Sequence, residues 1–197
     1  MILTSQILLW IAVAMLAMLV IALARQIGVL HERIAPAGAL TLHQHVKVGD
    51  RPTRLELRDT AGNTIQVGGP RERMSQLLFF AGTDCPICKS LLPVLRSSVT
   101  AEKDWLEVVI AGDGDTAAYT KLMNDHGLAD TPLVLSEALG RSFGVSKLPY
   151  AVLLDHEGRV ASMGLVNSRE HLESLFKAKE LGVASMQEFL TRRKRNA

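Results

Sequence analysis

The chain has 197 residues, 48% of them hydrophobic and 21% charged, with a formal net charge of +2. That length suits one well-cored domain plus an appendage, because single domains usually run to roughly 100–200 residues. The basic run RRKR at 192–195 outweighs the net charge, so the rest of the chain is nearly neutral. Without a basic stripe interleaved with aromatics, nucleic-acid binding drops out as a leading class.

The first element is apolar. Residues 2–24, ILTSQILLWIAVAMLAMLVIALA, carry no charged side chain before Arg25. A helix over them reaches about 34 Å, enough to cross a hydrocarbon core of about 30 Å. The length of the run and the lack of a basic start favour an uncleaved anchor over a removed signal peptide. Arg25 and Arg33 follow the span, and the positive-inside rule taken alone would keep the remainder of the chain in the cytoplasm. The expected organisation is an anchor at 1–25, a linker at 26–47, a folded domain at 48–191 and a basic tail at 192–197. The linker holds Pro36, Gly38 and the pair His43 and His45. Two imidazoles make an incomplete metal site, so these are expected to be solvent-exposed.

Regular punctuation begins at Val48. VGDRPTRLELRDTAGNTIQVGG alternates apolar and polar residues on either side of AGN, which predicts a hairpin. QLLFFAG at 76–82 is a continuous apolar run, as expected of a strand buried on both faces. From Pro86, the residues Cys88, Leu91, Leu92, Leu95 and Val99 fall along one face of a helix. Pro86 suits its first turn, and Pro93 inside it predicts a kink. WLEVVIAG at 105–112 is a second buried strand, followed by a helix through Ala117 to His126, and PLVLS at 132–136 is a third strand. YAVLLD at 150–155 and RVASMG at 159–164 flank the turn residues HEG and predict an antiparallel hairpin. Asn167 with Glu170, and again Ser185 with Glu188, have capping-box spacing and predict two closing helices. Strands alternating with helices and ending in a hairpin indicate a three-layer α/β/α domain with a mixed sheet.

The chemistry concentrates in GTDCPICKS at 82–90, which contains the only two cysteines. A strand ending at Asp84 and a helix starting at Pro86 put Cys85 at the helix N-terminus, where free N–H groups and the macrodipole favour an anion. Such a thiolate is the expected nucleophile. Cys88 lies nearly one turn further on the same face, within reach of a disulfide, and is the expected resolving thiol. Asp84, Pro86 and Ile87 shape this helix start. A structural zinc site needs four ligands, and no second cysteine pair exists. A purely structural disulfide over so short a loop adds little stability. Redox work is left as the leading reading, and it needs neither metal nor organic cofactor. A second landmark is GVSKLPYAVLLD at 144–155, with Pro149 at the start of a strand.

FFAGTDCPICKSLLPVL followed some sixty residues later by LPYAVLLDHEGRV resembles the thioredoxin-like superfamily, in its membrane-tethered TlpA-like and peroxiredoxin-like branch. The resemblance implies that Pro149 is cis and that Leu148 and Pro149 form a substrate-docking edge against the C-x-x-C. More narrowly, the anchor, VGD near residue 48, TDCPICKSLLPVL and NSREHLESLFKAKELGVASMQEFL resemble the MauD family of methylamine utilization proteins. That resemblance implies a maturation factor for methylamine dehydrogenase. It would assist disulfide formation or isomerisation in the cysteine-rich small subunit, as a single-pass protein of the bacterial inner membrane facing the periplasm. Two departures from thioredoxins stand out: Asp84 replaces a tryptophan before the first cysteine, and Phe79 replaces a buried acid. Other expectations compatible with the motif are a thiol reductant for cytochrome c or metal-site assembly, a peroxidase using Thr83 and an arginine such as Arg141, and a scaffold without catalysis.

Overall fold

The computed structural model describes residues 2–33 and 46–180. His43 and His45, the Ser185–Glu188 signature and the basic tail at 192–197 lie outside the described residues. The chain divides into an N-terminal unit and a folded unit that follows it.

The N-terminal unit holds one helix, α1 (Ile2–Arg33). Its segment Leu3–Ile21 has a mean hydropathy of 2.2 and no side chain buried within the chain. It is long and apolar enough to cross a membrane. The helix continues through residues 26–33, the start of the stretch expected as linker. No proline interrupts the sequence before Pro36.

The folded unit opens with the expected hairpin, β1 (Leu55–Arg58) and β2 (Thr64–Val67), paired antiparallel. There follow β3 (Ser75–Phe80), α2 (Pro86–Ala101), β4 (Leu106–Gly112), α3 (Thr116–Asp125), β5 (Leu133–Leu135), α4 (Glu137–Ser142), β6 (Tyr150–Leu154), β7 (Val160–Leu165) and α5 (Arg169–Glu180). Five strands form one mixed sheet in the order β5-β4-β3-β6-β7. β3 pairs parallel with β4 and antiparallel with β6.

Every residue of β3 is buried, which explains the apolar run from Leu77 to Phe80. Alternation sends Leu77 and Phe79 to one face and Leu78 and Phe80 to the other, so the sheet separates two apolar clusters. The first cluster is closed by α2, α3 and α5, through residues such as Leu92, Leu95, Tyr119, Leu122 and Leu172. The second is closed by α4 and the β1–β2 hairpin, through Leu139, Phe143, Val67, Leu55 and Leu57. Among the described residues, one outer layer is therefore a short helix beside a hairpin. The chain around that hairpin also reaches both sheet edges. Gly49 N–H donates to Val160 O at 2.8 Å, and Thr60 N–H to Leu133 O at 2.9 Å. Strand edges are partly covered in this way.

Two local details differ from the expectations. α4 has only six residues with Gly140 inside it, too short for a helical period to register. The cap of α5 falls one residue later than expected: Leu172 N–H donates to Ser168 O, and His171 N–H to Ser168 Oγ at 3.4 Å. Asn167 uses its own N–H on His171 Nδ1 instead.

At the β6–β7 turn, Gly158 has φ +77, and a Cβ there would stand 2.6 Å from the Gly69 carbonyl oxygen. Gly158→Ala is expected to destabilise the folded unit by about 2 kcal/mol or more, combining a left-handed backbone with a backbone clash. Urea denaturation of the detergent-solubilised chain measures this.

Candidate active site

The site is built where β3 gives way to α2. Ala81 still belongs to the ladder, its N–H donating to Ala111 O at 3.0 Å, and Cys85 N–H then closes a turn onto Gly82 O at 3.3 Å. Cys85 is the N-cap of α2, with extended backbone at φ −89 and ψ 110. Its Sγ accepts the Cys88 backbone N–H at 3.1 Å. A thiol here does what serine or aspartate oxygens do at most helix starts, satisfying one of the orphan donors. Pro86 occupies the first turn, where no N–H is wanted.

The two sulfurs have different surroundings. Cys85 is half-buried, whereas Cys88 is 0% exposed and packs with Leu91, Leu92 and Leu95. Burial first, and the hydrogen bond with Cys85 second, push the Cys88 thiol up to about 12. An apolar surrounding disfavours its charged form. Asp84 and Pro86 are exposed, and Ile87, between the cysteines, is 44% exposed.

The Leu148–Pro149 peptide bond is cis. Pro149 is buried, and its carbonyl accepts Val166 N–H at 3.1 Å. Phe80 lies opposite Tyr150 in the β3–β6 register, which brings Pro149 beside the end of β3. Leu148 stays 39% exposed. It meets the dithiol loop through Gly82, where a Cβ would stand 3.2 Å from Leu148 Cδ1 and 3.8 Å from Cys85 Cβ. The structure thus brings Cys85, Cys88, Leu148 and Pro149 to one end of the sheet. Ile87, Cys85 and Leu148 are each at least partly exposed.

Arg141 is held elsewhere. It belongs to α4, on the face of the sheet opposite Cys88, and pairs with Glu137. With Asp113, Lys147 and Leu148 it lines a recess of about 250 Å³. A peroxidase arrangement of arginine and thiol is not assembled by these positions. Among the described residues, no three or more His, Cys, Asp or Glu side chains converge where they would hold a metal ion.

Three residues that the sequence pattern did not single out support the loop: Gly82, Gly112 and Tyr119. Phe79, at the place of the thioredoxin acid, is wholly apolar and packs in the Cys88 cluster. The buried polar group here comes from α3 instead, where the Tyr119 hydroxyl donates to Ala81 O at 2.8 Å. Burial pushes the Tyr119 phenol up. A glycine ending a buried strand and a tyrosine early in the next helix are cues too common to have marked either.

A family model described as Thioredoxin-like matches residues 75–160. The thioredoxin domain of a thiol-disulfide oxidoreductase from Bacteroides vulgatus has the same fold, with a TM-score of 0.55 at 15% identity, covering 67% of this chain and 97% of that one. Fold and paired cysteines define a thioredoxin-like domain that carries a C-x-x-C dithiol at a helix start. Methylamine utilization protein MauD of Paracoccus versutus is 41% identical over 193 residues, 98% of this chain and 96% of that protein. The same-named protein of Methylorubrum extorquens is 41% identical over 191 residues, covering 96% and 92%. The chain belongs to the MauD family of methylamine utilization proteins.

Two outcomes are expected from the unequal thiols. Alkylation of the reduced native chain at neutral pH should label Cys85 alone, and denaturation should add Cys88; peptide mass spectrometry counts both. Because the Cys88 thiol is raised from 9.0 to about 12, folding favours its protonated form. Its contribution to stability is full below about 9 and is lost as pH rises towards about 12. Urea midpoints of the dithiol form should therefore fall over that window more steeply than those of the disulfide form, which has no thiol to titrate.

Proposed function

We propose that the chain is a membrane-anchored thiol-disulfide oxidoreductase and isomerase acting on the cysteine-rich small subunit of methylamine dehydrogenase. The observation that carries this reading is the helix-capping sulfur: Cys85 Sγ sits half-exposed on the Cys88 N–H at 3.1 Å, with the second thiol buried beneath. Cys85 is the attacking thiolate and Cys88 the resolving thiol.

The cycle balances without a cofactor. In the oxidising direction a substrate thiolate attacks Cys85 of the Cys85–Cys88 disulfide. The bond between the two breaks, a mixed disulfide forms at Cys85, and Cys88 leaves and takes up a proton. A second substrate thiolate then attacks the substrate sulfur, releasing Cys85 as a thiolate. The substrate has lost two electrons and the chain has gained them as a dithiol, to be reoxidised by an external disulfide. Isomerisation starts from the dithiol: Cys85 attacks a substrate disulfide, and a different substrate thiol displaces it with no net electron transfer. The strong hold of Cys88 on its proton slows its own attack on the mixed disulfide, which gives a second substrate cysteine time to compete.

Leu148 and Pro149 form the docking edge, with Ile87 completing the apolar surface beside Cys85. Residues 1–25 act as the anchor, 26–47 as a linker, 48–191 as the working domain and 192–197 as a basic tail. Disulfide chemistry on a structural substrate suits an oxidising compartment, so the domain faces the periplasm from the bacterial inner membrane. Membership of the MauD family supports the substrate assignment, and the apolar Leu3–Ile21 segment supports the anchor.

A Cys88→Ser variant expressed in a methylamine-grown host should accumulate a mixed disulfide between Cys85 and the dehydrogenase small subunit, read by non-reducing electrophoresis and mass spectrometry. Cys85→Ser should abolish both the adduct and the maturation of the dehydrogenase. Recovery of a c-type cytochrome precursor at Cys85 would instead make the chain a reductant for cytochrome assembly. Unchanged dehydrogenase maturation in Cys85→Ser would make it a scaffold.

A further inference from the structure

Tyr119 is among the largest fully buried side chains of the described residues, at 1% exposure. A buried phenol costs stability unless its hydroxyl is bonded, and the bond made here is unusual in its place. β3 and β4 run parallel, with Phe80 opposite Ala111, and Ala81 N–H donates to Ala111 O at 3.0 Å. The next rung of a parallel ladder would join the Asp113 N–H to the Ala81 carbonyl. The Tyr119 hydroxyl stands in that rung. It donates to Ala81 O at 2.8 Å. The end of β3 is thus tied to a side chain from α3 whose hydroxyl lies against Gly112 at the end of β4.

Gly112 is shaped to this insertion, since a Cβ built there would overlap the Tyr119 hydroxyl. A tyrosine that merely filled the core would need neither the missing Cβ nor a place in the ladder. One residue beyond Ala81 is Gly82, whose carbonyl takes the Cys85 N–H and whose open face takes Leu148. Tyr119 and Cys88 share one apolar cluster beneath that turn. The hydroxyl is therefore one peptide unit from the backbone that holds the capping sulfur.

We propose that Tyr119 is a positioning residue for the dithiol: its hydroxyl, inserted between the ends of β3 and β4, fixes the Ala81–Gly82 backbone and thereby sets the balance between dithiol and disulfide. The inference rests on the reading of Cys85 and Cys88 as a redox pair. Its direction follows from the cap. The Cys88 N–H bond to Cys85 Sγ is made with both cysteines free, and a reduced sulfur, above all a thiolate, accepts an N–H better than a disulfide sulfur, so a turn released from Tyr119 weakens the dithiol form more.

The test is equilibration of the full-length chain in detergent micelles with mixtures of reduced and oxidised glutathione. One oxidised glutathione is reduced to two thiols for each protein disulfide formed, and acid quenching, alkylation and mass spectrometry give the equilibrium constant. Tyr119→Phe should move that constant about 5-fold towards the disulfide, the scale of one modest hydrogen bond. It should also slow alkylation of Cys85 near neutral pH. Gly112→Ala, whose added methyl displaces the hydroxyl while keeping the tyrosine, should shift the constant in the same direction. Leu122→Val, on the same helix and in the same cluster, should lower the urea midpoint and leave the constant unchanged. The proposal is overturned if Tyr119→Phe lowers only the urea midpoint, or if Leu122→Val shifts the constant equally. A wild-type chain that never interconverts with glutathione would overturn the redox reading itself, a result distinct from either.

Discussion

The working end of the folded unit depends on one short contact, the Cys88 N–H resting on Cys85 Sγ at 3.1 Å. A helix must find partners for its first N–H groups, and this one uses a sulfur. Placing that sulfur correctly takes a strand that stops at Phe80, a turn that closes on Gly82 and a helix that starts on proline. The sheet supplies the rigidity. β3 is hydrogen-bonded on both sides and buried on both faces, so its end has little freedom. The same helix start that leaves Cys85 half-exposed directs Cys88 into the core, where charge is disfavoured. One turn of helix thus separates two chemically identical groups into an accessible thiol and a protected one.

Much of this was legible in the order of residues. The apolar run at 76–82, the helical spacing from Cys88 to Val99 and the hairpin around HEG rest on local periodicity, and each appears as expected. The C-x-x-C at a strand-to-helix junction was legible because spacing alone puts both sulfurs on one face. What escaped depends on contacts between distant segments. α4 is too short to announce itself. The shift of the α5 cap from Asn167 to Ser168 turns on His171 Nδ1 taking up the Asn167 N–H. Tyr119 meets Ala81 across 38 positions of sequence, and no local pattern encodes such a meeting.

Replacing the thioredoxin acid by Phe79 alters how the loop is supported. A carboxyl beneath the dithiol is a charge in an apolar place, and its ionisation couples to that of the thiols. A phenol bonded to a backbone carbonyl keeps its proton over the whole ordinary range, since burial raises its titration further. The floor under Cys88 thus carries no carboxyl, and burial is the largest cause of its raised thiol.

The division of the apolar interior by the sheet has an evolutionary consequence. Cys88 and Tyr119 pack on one side, whereas Phe80, Val145 and Arg141, which line the recess beside Leu148, belong to the other side or its rim. Substitutions without shared neighbours tend to act independently. Side chains of the recess away from Ala81, Gly112 and Asp113, the wall it shares with the Tyr119 hydroxyl, can therefore drift over generations without disturbing the dithiol.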